Sequence, residues 1–529
     1  MTSQPPRFSA DDSRAARIAL VLILVLTALR LSALFASPLE LYPDEAQYWL
    51  WSRTLDFGYF SKPPMIAWTI WTTTHIGGDA EAWVRLGGPL FHAVAAIALF
   101  SAGRRLYGAW TGLAAAAVYA LMPGVAQSSF TIATDAPLLC FLSLALLAYA
   151  AMQAEPKSLR NAAGLGVALG LAMLSKYAAL FVLTGIGLHL ALSPQARRAW
   201  DLKSAGLAVL AFVLILTPNL IWNANHGFAT VGHTAANADL GGKLFNPGEM
   251  LTFIGEQFGV FGPIPFAVLV GGIVLLAVRR QLKGPDLLLA CWTAPPLLIV
   301  TAQAFISRAN ANWAASAYVA GSVLAAALMM RAWRVGGSKL PRGLLIATVA
   351  TQALIAGFLL AATMNPTLMD RLGRSNDIKR VRGWEQMTEA VIRRAETEQL
   401  NGGLSAIAVD DRFLFNAMAY YGRDYFSRPD AAPLRIWVKG HAGNQAEANA
   451  PLTPALGRRV LVASLEDKDG RRAARIGADF RTAQTVEIVS VLLSPKCRAK
   501  PNEKPEKFDH RCRRRATVLL GEGFAPVAR

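Results

Sequence analysis

Apolar residues recur along the chain in uninterrupted runs of about 20, the length a helix needs to cross a hydrocarbon core of roughly 30 Å. A large soluble core would not need so many such runs. The pattern predicts about eleven transmembrane helices, over residues 17–36, 85–102, 108–125, 132–151, 159–175, 177–192, 205–222, 253–278, 286–305, 311–330 and 342–362. The first run lacks a small-residue cleavage site before Pro38 and is followed by many others, so it reads as a retained helix rather than a signal peptide.

Basic residues are spread unevenly over the connections. With the N-terminus in the cytoplasm, the predicted cytoplasmic segments carry 17 Lys and Arg residues. The opposite loops before residue 363 carry only Arg53, Lys62, Lys176, Lys243 and Arg308. Positive charge collects on the cytoplasmic side of membrane proteins, so this orientation is the expected one. The same alternation favours two helices, not one, between residues 159 and 192.

An odd number of spans sends residues 363–529 to the outer side. There, strand-like stretches at 405–410, 435–438, 459–464 and 485–492 alternate with helical patterns at 380–398 and 414–421. That order predicts a small α/β domain ending in a basic tail. The expected organisation is therefore a transmembrane domain, residues 1–362, which includes a first outer loop at 37–84, followed by an outer α/β domain.

Composition agrees, with 53% hydrophobic and 17% charged residues. The net charge of +18 does not point to nucleic acid. Much of it is cytoplasmic loop charge, and the tail between Lys496 and Arg515 would meet anionic lipid or polysaccharide first. Cys497 and Cys512 fall in the outer domain and are candidates for a disulfide that pins the tail. Cys140 and Cys291 fall within spans and read as small apolar fillers.

Candidate chemistry gathers on the outer side. The first outer loop is longer than a plain helix connection needs to be. It carries Asp44 and Glu45 with Tyr48, then Tyr59 and Lys62, among several tryptophans suited to the headgroup region. Without other support this would be an interfacial loop with no chemistry. Arg85, Asp135, Lys176, Tyr177, His226, Arg308 and Asn312, however, all fall at the outer ends of predicted spans. Ionisable groups at membrane depth are costly unless they pair or line a polar cavity. Asp44 and Glu45 can supply a general base or orient a sugar hydroxyl. Lys62 and Arg308, with Lys176 and Arg85, can neutralise a phosphate at headgroup level. Glu45 reads equally well as structural, and Asp135 as a cavity acid, a metal ligand or a helix cap.

The segments Asp44-Glu-Ala-Gln-Tyr48, Tyr59-Phe-Ser-Lys-Pro-Pro64, Ala133-Thr-Asp-Ala-Pro137, Leu174-Ser-Lys-Tyr177, Leu220-Ile-Trp-Asn-Ala-Asn-His-Gly227 and Ser307-Arg-Ala-Asn-Ala-Asn-Trp313 resemble a family of bacterial membrane glycosyltransferases. These are related to the dolichyl-phosphate-mannose protein mannosyltransferases, and the group includes the aminoarabinose transferase of lipid A. The resemblance runs from about residue 17 to 425. It implies the glycosyltransferase C fold in the bacterial inner membrane, with a periplasmic active site and inverting transfer from a polyprenyl-phosphate sugar to lipid A or another envelope glycan. It further implies that Asp44 is the first-loop catalytic acid, Asp135 the second external acid, Lys62 a phosphate ligand and Arg308 a later phosphate contact. The lipid A-modifying relatives have an acid before that lysine, whereas this chain has Ser61, so a divalent metal ion is left open and no metal ligand is assigned.

The partners so implied are the lipid-linked donor, a lipid or glycan acceptor and membrane lipids, acting on a monomer without nucleic acid. A flippase of lipid-linked saccharides is the chief competing reading, and a protein O-glycosyltransferase the next. A flippase needs a polar path to both faces and often shows repeated halves, neither of which is evident in the sequence.

Overall fold

The computed structural model describes residues 10–236, 244–335, 340–466, 471–494, 496–499 and 502–526, which leaves Lys243 outside the described residues. The chain divides into two compact units. The first comprises Met1–Phe35, Asp56–Ile76 and Arg85–Leu360; the second comprises Ala36–Leu55, Gly77–Val84 and Ala361–Arg529.

The first unit is helical. Among the described residues, six helices are long and apolar enough to cross a membrane: Asp11–Ala36, Glu81–Tyr107, Asp135–Ala154, Leu202–Asn225, Gly284–Ile306 and Gly343–Met364. Ala109–Ala120, Leu159–Ser175, Tyr177–Leu192 and Ala317–Ala332 are shorter apolar helices. The protein is thus a polytopic membrane protein. Small residues bring these helices together, as packing without a hydrophobic driving force requires. A Cβ at Gly112 would run into the Phe100 carbonyl, and one at Gly185 into the Cys291 carbonyl.

The single span expected over 253–278 is instead two helices, Pro247–Val260 and Pro263–Val278, bent by 116°. Gly262 at the break has φ +102°, a conformation that L side chains rarely adopt. Pro263 and Pro265 cannot donate backbone hydrogen bonds. Two side-chain contacts serve polar groups at the break, where hydrocarbon offers no other partner. Gln352 Nε2 donates to the Phe261 carbonyl at 2.8 Å, and Tyr318 Oη to Gln257 Oε1 at 2.7 Å. Elsewhere, Arg331 grips Asp286 with two nitrogens at 2.8 and 2.9 Å, and the Tyr107 hydroxyl donates to the same carboxylate at 2.7 Å.

The second unit is built on a five-stranded sheet: β1 (Ala406–Val409), β2 (Leu434–Ile436), β3 (Arg459–Leu465), β4 (Phe480–Leu492) and β5 (Arg513–Phe524), in the order β2-β1-β3-β5-β4. β1 pairs in parallel with β2 and β3, while β5 lies antiparallel between β3 and β4. Alternate residues face opposite ways along a strand. Ile407, Val409, Leu461 and Ala463 accordingly share a core with the helix Trp384–Leu400, and Ala406, Ala408, Val460 and Val462 share the opposite one with Ile476.

The expected basic tail is corrected at this point. Its last arginines, Arg513 to Arg515, open β5, which reaches into the middle of the sheet and buries Ala516, Val518 and Leu520. The cluster of basic residues conceals the period-two pattern that follows it. Cys497 and Cys512 are joined in a disulfide just before that strand.

The segment after the first helix is stitched into this second unit. The Glu40 carboxylate accepts the backbone N–H groups of Gly383 and Trp384 at 2.8 and 2.5 Å, and the Leu41 N–H donates to the Tyr421 hydroxyl at 2.7 Å. The helix Pro43–Ser52 packs on the helix Arg412–Tyr421, with Trp49 edge-on to Tyr420 at 4.9 Å.

At the end of β1, burial pushes the Asp410 carboxyl up to about 6, against Ser464 and Arg472, which favour its ionised form. A carboxyl raised on folding stabilises the fold fully below its unfolded value of about 3.9, and that contribution fades as pH climbs through the folded value. Replacing Asp410 by Asn is expected to remove a pH-dependent term on the order of 2–3 kcal/mol. The check is unfolding of wild type and variant at pH 4 and 7, where the wild type should lose more stability than the variant on going to pH 7.

Candidate active site

In the first unit, Asp135 is the first residue of the helix Asp135–Ala154, with Thr134 at its N-cap. An acid in a first helical turn is favoured by the unpaired N–H groups there. Its side chain is only 9% exposed, and both carboxylate oxygens are occupied. Oδ1 accepts from Lys176 Nζ at 2.9 Å, and Oδ2 from Asn312 Nδ2 at 2.9 Å. Lys176 follows the helix Leu159–Ser175 in extended conformation, and Asn312 lies in the short turn Ala311–Ala314. Residues from three separate helix junctions therefore meet on one carboxylate. Arg308 lies a few residues before Asn312 and is exposed, whereas Arg85 is buried.

A second polar chain begins at Tyr177. Its hydroxyl donates to Asn219 Oδ1 at 2.8 Å and accepts from Asn223 Nδ2 at 3.1 Å. Asn219 Nδ2 donates in turn to the Phe57 carbonyl at 2.6 Å, tying the helix Leu202–Asn225 to the segment that carries Lys62. That segment is held both by its own backbone and by a neighbouring helix. The Tyr59 N–H donates to the Lys62 carbonyl at 3.1 Å, and Thr230 Oγ1 to the Tyr59 carbonyl at 2.6 Å. Tyr59 is buried and its hydroxyl accepts the Asp56 N–H at 3.1 Å; burial pushes the phenol up to about 12, so it stays neutral. Lys62 is half-buried. His226 stacks on Trp222 at 4.0 Å and its Nδ1 lies 2.8 Å from the Trp222 carbonyl, which makes it a brace for the helix end.

In the second unit, Asp44 and Glu45 part company. Glu45 is fully buried and accepts the Tyr42 N–H at 2.8 Å, closing the first turn of its own helix. Asp44 is 40% exposed and lies 3.4 Å from Arg412 Nη1. Tyr48 is buried, with its ring 5.4 Å from Trp51. Sequence reasoning missed Gln47 and Arg412, which join Asp44 here: Arg412 Nη1 also donates to Gln47 Oε1 at 2.8 Å. Among the described residues, no three His, Cys, Asp or Glu side chains stand close enough together to hold a metal ion.

Acids and cations buried at span ends, next to hydroxyl and amide groups, suit transfer of a group from an anionic lipid. The dolichyl-phosphate-mannose-protein mannosyltransferase family matches residues 61–222, a stretch that includes Lys62, Asp135 and Lys176. The lipid A galacturonosyltransferase RgtD of Rhizobium johnstonii is 36% identical over 436 residues, spanning 81% of this chain and 86% of that one. The chain belongs to this family of membrane glycosyltransferases. In fold, the transferase is similar to ArnT from Cupriavidus metallidurans, at a TM-score of 0.64 and 15% identity, covering 96% of this chain and 98% of that one. The Archaeoglobus fulgidus oligosaccharyltransferase is a more distant likeness, at a TM-score of 0.52 and 11% identity over 83% of this chain and 67% of that one. The fold of the transferase is therefore glycosyltransferase C, and its chemistry is sugar transfer rather than flipping.

Removing one partner of a buried ion pair strands the other, at a cost of about 3–5 kcal/mol, whereas removing both is far milder. Asp135→Ala in the transferase is expected to destabilise by several kcal/mol, and the double variant Asp135→Ala/Lys176→Met by clearly less than the sum of the singles. Thermal unfolding of the four proteins of this cycle in detergent checks the prediction.

Proposed function

We propose that the transferase moves a sugar, with inversion, from a polyprenyl-phosphate carrier to lipid A or a related envelope glycan, at the periplasmic face of the bacterial inner membrane. The observation that carries this reading is the 36% identity to a lipid A galacturonosyltransferase over 86% of that protein's length. Similarity in fold to a transferase crystallised with undecaprenyl phosphate supports the carrier class. The uneven distribution of basic residues supports the orientation.

The roles follow from the chemistry of each group. Lys62 holds the donor phosphate as a compact point charge, and Arg308 adds a planar guanidinium contact. Together they stabilise the charge that develops on the departing phosphate oxygen. Asp135 acts on this chemistry through Lys176, which it holds by one of the three ammonium hydrogens. Asp44 takes the proton of the acceptor hydroxyl while that oxygen bonds to the anomeric carbon. The bond from that carbon to phosphate oxygen breaks on the opposite face, and the carrier leaves as polyprenyl phosphate. Glu45, engaged with its own helix, supports Asp44 by fixing the backbone before it.

Asp44→Asn is expected to lower transfer by about 100-fold or more while leaving carrier binding intact. Lys62→Ala should weaken carrier binding by about 10- to 100-fold, the loss of one charge-assisted contact of about 1.5–3 kcal/mol. Transfer from undecaprenyl-phosphate galacturonic acid to lipid A, followed by mass spectrometry, reads the first effect. Retention of radiolabelled undecaprenyl phosphate reads the second. Full transfer by the Asp44→Asn protein would remove Asp44 from the mechanism, and modification of protein alone would replace the acceptor class.

A further inference from the structure

The three parallel strands of the second unit run β2-β1-β3, so the chain leaves β1 for a neighbour on one side and later returns to pair on its other side. At such a reversal, a crevice opens beyond the carboxyl ends of the strands, where open α/β sheets place their functional groups. Asp410, Asp411 and Arg412 follow β1 directly at this position.

Each of the three has a distinct job. Asp410 spans the reversal by accepting Ser464 Oγ at 2.7 Å and the Leu465 N–H at 3.1 Å, both at the end of β3. Asp411 caps the helix Arg412–Tyr421 by accepting the Phe413 N–H at 2.8 Å. Arg472 approaches both carboxylates at 3.6 Å. The backbone of Arg412 is thereby held from the strand side and from the helix side. Its guanidinium lies over the Phe413 ring at 4.6 Å, and its Nη1 reaches Asp44 and Gln47, three residues apart on the helix Pro43–Ser52.

We infer that Arg412 is a positioning residue for sugar transfer, holding the Asp44 carboxylate in the orientation in which it receives the acceptor proton. The inference rests on the reading of Asp44 as the base. Its consequence is that the C-terminal α/β domain supplies part of the transfer machinery. The Arg412 and Asp44 side chains are 39% and 40% exposed, and ion pairs so exposed contribute little to folding. Loss of Arg412 should therefore appear in the rate rather than in the melting temperature.

The test uses the full-length protein in detergent with undecaprenyl-phosphate galacturonic acid and lipid A. It measures kcat, the KM of each substrate and Tm for Arg412→Ala, Arg412→Lys, Gln47→Ala and Asp44→Asn. Arg412→Ala should lower kcat on the order of tenfold with the donor KM and Tm unchanged, as expected for a misplaced reacting group. Arg412→Lys should recover part of that loss, and Gln47→Ala should give a smaller defect of the same kind. Wild-type kcat in Arg412→Ala beside an inactive Asp44→Asn overturns the positioning role and leaves Asp44 as the base. An active Asp44→Asn overturns the reading of Asp44 itself. A kcat that falls only in step with Tm, in Arg412→Lys and Gln47→Ala as well, makes the contact structural and overturns the proposal.

Discussion

A charge or a free backbone group beside hydrocarbon must be neutralised where it sits, because no water is at hand to do so. The membrane-spanning unit is organised around this demand. Asp135, Lys176 and Asn312 come from three helix junctions, and the acid satisfies both of the others. Asp286, Arg331 and Tyr107 do the same from three helices. At the bend after Val260, Gln352 takes up the carbonyl that the proline-rich start of the next helix cannot bond. Each group constrains the helices that supply it, so the polar residues set which apolar surfaces meet.

The outlines of this unit are legible in the sequence because hydrophobic length is a strong signal. Every predicted run coincides with an apolar helix or with the bent pair. The bend itself was legible in part, since Gly262, Pro263 and Pro265 stand inside the predicted run. Length alone joined what these residues divide. In the second unit, β1 and β3 announced themselves through continuous apolar stretches, and the helix before them through its periodicity. β5 did not, because Arg513, Arg514 and Arg515 crowd its start and a basic run reads as a solvated end.

The candidate site shows the same division. Lys62 was visible as a cation in an unusually long, aromatic-rich loop, and Asp135, Lys176 and Asn312 because each is an expensive or polar residue at a span end. The contacts of Asp135 with Lys176 and Asn312 were not, since the pattern along a chain gives the depth of a residue but not its angular position on the helix. Glu45 illustrates a different limit: adjacent acids on a helix point apart, and only the structure tells that one folds back on the Tyr42 N–H while the other faces Arg412. Arg412 was invisible. Its contact with Gln47 joins residues 365 positions apart, and no local rule marks an arginine at the start of a soluble-looking helix as the neighbour of an acid in the first loop.

The second unit draws residues from three stretches of chain, Ala36–Leu55, Gly77–Val84 and Ala361–Arg529. Its modularity is therefore deceptive. A fragment cut at residue 361 would carry all five strands, yet it would lack Glu40 to receive the Gly383 and Trp384 N–H groups and the helix that covers Arg412–Tyr421. The polypeptide passes from one unit to the other five times, so neither can be exchanged between proteins as a beads-on-a-string module. New acceptor preferences in this architecture would have to arise by substitution within an interlaced chain, with the first loop and the C-terminal domain changing together.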